Sequence, residues 1–513
     1  MKRFFTLWLT QIAAWNFLFW KETPGINLLL FVVMLIAALH LLYLDAWKRR
    51  VVQIAGLLTL LSAVMVLRHG GGWAVFATVF STAVLSAAVT EKEFRSVLMP
   101  LLHIPARLLL MYSWILNQLR TNLSGYRGFR TAVFTVRNSL IPLFVAFLFL
   151  LLYSTGNPHF GSLVSRYFGW FTDLFQDLSF ARFLFILAGS FVCGALLFQV
   201  KTGFESLGLH PDNLIRQKKT YSEAPGMVAL RRTAKAGLML LILLNVLLFL
   251  VNVTDLRKVW INFQVPEHFS LKQFVHEGTW ILLTSVLFSI GVLLWLFRDN
   301  LHFYRKNRWL KILSYGWIFQ NFLLVLSLFK RNYHYINFHG LAYGRIAVVV
   351  LLLLIISGLI AAYLKIKADK SAWFLIRVNS WTAYLFIIAI SFVNWDRLIV
   401  NYNLQHSNAG QIDVDFYLDV RGNALPDVYQ HIDRVKEQIS AHNTNKEKWI
   451  SYQNPDAFIA QLEIRKERFQ HSRETKSWLS YNSDDERAIV QLNKTVKPIT
   501  RGIGLSKIVL RRK

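Results

Sequence analysis

The chain has 513 residues, 54% of them hydrophobic, with a formal charge of +28 and one cysteine. The lone Cys193 excludes an internal disulfide and any multi-cysteine metal site. The basic residues lie in loops between apolar runs, which argues against the clustered basic face of a nucleic-acid binder.

A bilayer core about 30 Å thick is crossed by roughly 20 apolar residues in helical form. In chain order such runs fall at residues 4–20, 26–44, 51–67, 73–89, 139–153, 180–199, 236–253, 277–297, 309–329, 344–364 and 373–393. The first follows Met1-Lys2-Arg3 but ends Phe17-Leu18-Phe19-Trp20-Lys21. That end is too bulky for a signal-peptide cleavage site, so the run is read as a retained membrane segment. The ten-residue alternation of a membrane β-barrel is absent. The expected fold class is therefore all-α: a polytopic transmembrane helix bundle of ten or eleven spans over residues 1–394, with a mostly helical soluble tail over 395–513.

Two further apolar stretches are not counted as spans. Residues 95–120 are interrupted by Pro100, His103, Pro105 and Arg107, and interior prolines break or kink a helix. This stretch is read as lying at the cytoplasmic interface. In 159–178, Phe160, Leu163, Val164, Tyr167, Phe171, Leu174, Phe175 and Leu178 recur at helical spacing, which predicts an amphipathic helix on the outer interface.

Charge orients the bundle. With the N-terminus in the cytoplasm, the inward segments carry 27 Lys and Arg against 9 on the outward ones, and every alternate loop obeys the positive-inside rule. The tail then lies outside the cytoplasm. In that tail Leu425, Val428, Tyr429, Ile432, Val435 and Ile439 follow the helical period, and Ser483-Asp484-Asp485-Glu486 reads as a capping box before Ile489, Val490 and Leu492.

Charged side chains in hydrocarbon usually mark ion or proton pathways. Within the runs, apart from Lys311 and Arg345 in terminal turns counted with the loops, only Arg182, Glu277 and Arg377 are charged, each near an end. Midplane polarity is confined to the amides Asn245, Gln320 and Asn321, with Asn379 nearer an end. Interhelical hydrogen bonding is their ordinary use, and lining for a neutral substrate is the alternative. The outward ends collect His276, Glu277, His334, His339 and Asp396, side chains suited to zinc or to acid–base work. The adjacent His276 and Glu277 lack the His-Glu-x-x-His spacing of a metalloprotease. Residues at headgroup level are the plainer interpretation, and a salt bridge from Glu277 to Arg331, Arg345 or a histidine is expected. No nucleophile elbow, phosphate-binding loop or zinc pattern occurs, so no cofactor or metal is expected. The bilayer is the expected partner, with envelope proteins meeting the tail.

Several short motifs carry a resemblance: Val275-His276-Glu277-Gly278-Thr279-Trp280, Trp317 with Gln320-Asn321, the stretch from Tyr333 to Gly344, Asn394-Trp395-Asp396-Arg397, Asn401-Tyr402-Asn403-Leu404, Tyr417-Leu418 and Ala424-Leu425-Pro426. Between about residues 140 and 430 their order resembles the bacterial multi-pass membrane family DUF4173, which overlaps DUF4153. Gly422-Asn423 departs from the Ser or Asp of that pattern. The resemblance implies a bundle in the bacterial cytoplasmic membrane and supplies no catalytic residue. Three roles are consistent with the sequence: envelope sensing, assembly or regulation without catalysis; a permease or flippase for a neutral or lipid-like substrate; and a membrane enzyme using the outer His/Glu/Asp residues.

Overall fold

The computed structural model describes residues 2–91, parts of 94–110, scattered positions up to 166, and then 180–199, 214–216, 227–261, 271–297, 300–304, 307–405, 412–444 and 454–495. Apart from those scattered positions, the expected span at 139–153 and the expected interfacial helix at 159–178 lie outside the described residues. Among the described residues, helices account for the regular structure, and the β component is an isolated bridge between Ile215 and Lys370. Six helices among the described residues are long and apolar enough to cross a membrane, and three shorter apolar helices accompany them. The chain is a multi-pass helical membrane protein, and its described helices coincide with ten of the eleven predicted runs.

The residues form two compact units. The first holds α1 (Lys2–Phe19), α2 (Ile26–Leu42), most of α3 (Arg50–His69) and α4 (Gly72–Thr90), and α5 (Phe180–Leu197). α1 packs on α2 and α5 around Ala14, Leu18, Phe31 and Cys193, and Leu479 inserts into the same cluster. The turn after α1 is fastened by Asn27, whose amide donates to the Leu18 and Thr23 carbonyls at 3.0 Å and whose oxygen accepts from the Gly25 and Leu28 amides at 2.8 Å. The buried face of α4 is rich in small residues, Ala77, Ser81, Ala87 and Ala88 among them. Small side chains let helix backbones approach closely in a membrane, and Thr59 on α3 reaches the Ser81 carbonyl at 3.1 Å.

The second unit contains α6 (Met227–Asp255), α7 (Leu271–Leu296), α8 (Arg308–His339), α9 (Tyr343–Lys367) and α10 (Ala372–Ser391). α6, α7 and α9 all pack on α8, and α10 packs on α9. Leu241, Val286, Leu293, Leu324, Val325, Leu328, Leu352 and Leu359 form the shared core. α6 runs into a π-helical turn, Leu256–Ile261, that carries it past the predicted end of its apolar run. Ser371 caps α10 by accepting from the Phe374 amide at 3.3 Å, the ordinary work of an N-cap serine.

Apart from Trp478–Ser480, which belong to the first unit, the tail belongs to this unit. It comprises α11 (Trp395–Gln405), α12 (Phe416–Asp419), α13 (Leu425–Gln430), α14 (Ile432–Thr444), α15 (Pro455–Glu474) and α16 (Ser483–Thr495). The predicted stripe is buried at Leu425, Val428, Tyr429, Val435 and Ile439, with Ile432 partly covered. It belongs to two helices, because the chain turns at His431. On α16 Leu492 is buried but Val490 is exposed. The cap lies one residue earlier than the sequence suggested: the Asn482 oxygen accepts from the Asp485 amide at 2.9 Å, and its Nδ2 donates to the Asp485 carboxylate at 2.7 Å. Ser483 instead donates to the Arg68 carbonyl at 2.9 Å.

Candidate functional site

Three turns of the second unit meet the tail, and the contact is almost wholly polar. The first is the turn between α3 and α4. His69 is 2% exposed; its Nδ1 accepts from the Gly71 amide at 3.1 Å and its Nε2 lies 2.9 Å from the Ser391 carbonyl at the end of α10. An imidazole that accepts at Nδ1 and meets a carbonyl at Nε2 carries its proton on Nε2. From the tail, Asn423 donates to the His69 carbonyl at 3.1 Å and Arg421 donates to the Gly70 carbonyl. The Arg421 guanidinium also lies 3.8 Å from Asp485.

The second turn joins α8 to α9. Asn403 on α11 accepts from the Leu341 amide at 2.6 Å and donates to the Leu341 carbonyl at 2.9 Å. A side-chain amide here occupies the place of a neighbouring strand, satisfying both backbone groups of one residue. Gly340, at φ +79°, makes room: a Cβ on it would stand 2.5 Å from the Asn403 oxygen. The Asn403 carbonyl in turn accepts from Gln438, at 3.0 Å, and Gln438 accepts from the buried Tyr417 hydroxyl at 3.1 Å. Burial raises the Tyr417 pKa above the ordinary tyrosine value, which keeps that hydroxyl a donor.

The third is the α10–α11 junction. Asn394 donates to Asp484 at 3.0 Å, and the Trp395 indole donates to the Ile390 carbonyl at 2.9 Å. Asp396 accepts from the Arg421 amide at 3.3 Å. Arg397 meets Asp427 in a two-point ion pair at 2.7 and 3.1 Å, the fork geometry that adds direction to charge. That hydrogen bond raises the arginine pKa further.

The predicted outer residues distribute as follows. Asp396 is part of this junction. His339 ends α8, its ring edge-on to Tyr335 at 4.8 Å and its carbonyl accepting from Arg345 at 2.9 Å. His334 lies on α8 against Tyr333. His276 and Glu277 fall within α7, but their side chains lie outside the described residues, so the expected partner of Glu277 is not placed. Arg331, one of its proposed partners, meets Asp255 at the end of α6 at 2.5 Å, both side chains being at most 8% exposed. Among the described residues no group of three His, Cys, Asp or Glu could hold a metal ion.

The midplane amides tie α6 to α8. Gln320 donates to the Asn245 oxygen at 2.8 Å, and Asn245 donates to the Leu241 and Leu313 carbonyls at 2.7 and 3.2 Å. Asn252 continues the ladder to the Gln320 carbonyl at 3.1 Å, and Trp260 reaches Ser327 at 3.0 Å. Asn321 turns its Nδ2 onto the Trp317 carbonyl of its own helix. Asn379 is on α10 and takes no part in the ladder.

Sequence reasoning overlooked one polar cluster in the first unit. Arg107, fully buried, donates to Thr90 at 2.7 Å and to Glu91 at 2.5 Å, while His103 lies 3.7 Å from the same carboxylate. Arg49 donates to the Ala88, Val89 and Glu91 carbonyls at 2.7 to 3.0 Å, closing the C-terminal end of α4 as a basic side chain does well. The described part of the 95–120 stretch is thus tucked against α4. Its only signal was a histidine and an arginine among prolines.

The motifs of residues 333–344, 394–397, 401–404 and 424–426 come together at the tail junction. A family model, the domain of unknown function DUF4153, matches residues 55–431. The chain belongs to the DUF4153 family. The match spans the α3–α4 turn, all the second-unit spans and the tail through α13, so the junction falls within the DUF4153 region except for Gln438 and the segment Asn482–Asp485. Comparison with curated proteins and with solved structures finds no match.

Proposed function

We propose that this DUF4153 protein is a non-catalytic component of the bacterial cytoplasmic membrane, with its N-terminus in the cytoplasm and its tail outside. Its role is envelope sensing, assembly or regulation through the docked tail. The observation that carries the reading is the junction itself: Arg421, Asn423, Asn403 and Arg397 use their hydrogen-bonding groups to hold three turns and the tail together. Such a network is costly to leave half-made, so it favours two states, docked and released, which a partner or a stress can bias.

A permease or flippase is the second reading. A crevice of about 400 Å³ between α6, α7 and α8 favours it, lined by Leu247, Phe288, Ser289, Trp317 and Asn321. Of the predicted amides only Asn321 lines it; Asn245 and Gln320 are engaged in the ladder.

Complementation of a deletion strain under envelope stress separates the two. At matched abundance, Arg421→Ala and Asn403→Ala should lose complementation, and Asn321→Leu should keep it. The reverse pattern would overturn the regulatory reading in favour of transport.

A further inference from the structure

A groove of about 300 Å³ runs between α9 and α10. Its wall on α9 runs from Tyr343 through Ala347 to Leu354, and on α10 from Ala383 to Ile390, all apolar beyond the tyrosine. Trp73 and Trp395 close one end beside Tyr343. The volume falls within the range of small-molecule sites, and nothing in the lining could orient a polar ligand along the groove's length.

Its length identifies an occupant. From Tyr343 to Leu354 is eleven residues of helix, about 16 Å at 1.5 Å per residue. That equals one leaflet of a hydrocarbon core about 30 Å thick. The aromatic trio then stands at headgroup level, where Trp and Tyr collect. Both α9 and α10 are long and apolar enough to cross a membrane, so the groove lies between two candidate membrane spans.

Two of the three mouth residues are also tail-docking residues. Tyr343 packs edge-on to Phe416 of the tail with ring centroids 5.9 Å apart. Trp395 is the first residue of α11 and is held to the Ile390 carbonyl. The groove is therefore continuous with the tail junction through side chains already fixed in place.

We propose that the α9–α10 groove seats one acyl chain of a glycerophospholipid from the tail-side leaflet, and that Tyr343 and Trp395 connect its occupancy to tail docking. The link to docking rests on the regulatory reading given above; the lipid site does not.

The probe is phosphatidylglycerol carrying a photoactivatable diazirine in one acyl chain, mixed into phosphatidylethanolamine vesicles with the full chain. Mass spectrometry of the cross-linked protein should place label mainly on residues 346–354 and 383–390. Ala347→Trp or Ala383→Trp, which fill the groove, should lower that labelling at least five-fold. Leu353→Trp, on an exposed face of α9 outside the groove lining, should leave it unchanged. Label spread evenly over all apolar helix faces of the unsubstituted protein would overturn the lipid site without recourse to any variant. If labelling falls in Ala347→Trp and Ala383→Trp but trypsin cleaves their tails no faster than in the parent protein, the site stands and its link to docking is overturned.

Discussion

Asn403 and Gly340 are a matched pair. The asparagine satisfies both backbone groups of Leu341, and the glycine is what lets it approach. Stranding a partly buried amide and carbonyl costs about 1–3 kcal/mol, so Asn403→Ala should loosen the tail by about 2 kcal/mol. Gly340→Ala should do at least as much, because a Cβ there meets the asparagine oxygen and the positive φ disfavours an L side chain. Trypsin cleavage of the tail in purified protein reads this out, since cleavage follows the open population when opening is fast. At about 1.4 kcal/mol per tenfold, the rate should rise roughly thirty-fold for Asn403→Ala. The double substitution should cost less than the sum of the two, because Asn403→Ala removes the clash. Strict additivity would show that the two residues do not share one contact.

At this scale the sequence showed which residues were unusual but not what they touch. Asp396, Asn403 and Gly340 stood out within motifs, yet their partners are 25, 62 and 63 positions away in the chain. Hydrophobic period carries no information about such pairings. His69 drew no attention at all, because a histidine beside Gly70-Gly71-Gly72 looks like an ordinary turn.

Between elements, α6 and α8 are held by amides near their middle and by one ion pair near their ends. In lipid no hydrophobic drive separates helix contact from lipid contact, so packing and interhelical hydrogen bonds carry association. Replacing Asn245 with Leu should cost about 0.6–2 kcal/mol, the range found for such bonds in membranes. Asp255→Ala should cost more, about 3–5 kcal/mol, because it leaves the Arg331 guanidinium without its 2.5 Å carboxylate in a buried site. Denaturant unfolding in detergent should rank the two in that order. An Asp255→Ala protein as stable as Asn245→Leu would mean that Arg331 finds water or another acceptor. The helices themselves were legible because apolar run length reports directly on membrane crossing. The ion pair was not: Asp255 and Arg331 each lie beyond the apolar run, and only the extension of α6 to Asp255 and of α8 to His339 encloses them. The α16 cap moved by one residue for a similar reason, since Ser483 is engaged by the Arg68 carbonyl and Asn482 is left to cap the helix.

For the whole molecule, the charge count places the turn at 68–72, the turn after α8 and the tail on one side of the membrane. In the second unit both turns are hydrogen-bonded to the tail. Geometry and charge thus agree on which segments share a face, and they do so independently, because the charge rule knows nothing of contacts. Sequence could reach this far since alternation of loops is a global constraint. It could not reach the docking of the tail, which depends on single side chains. The direct test is labelling of intact cells with an impermeant thiol reagent, using single cysteines in a Cys193→Ala background. Gly72→Cys, Gly344→Cys and Ser472→Cys should react, whereas Asp45→Cys and Lys367→Cys should react only after the cells are permeabilised. Reaction at Asp45→Cys or Lys367→Cys in intact cells, or protection of Ser472→Cys while Gly72→Cys reacts, would contradict a tail docked on the outward turns.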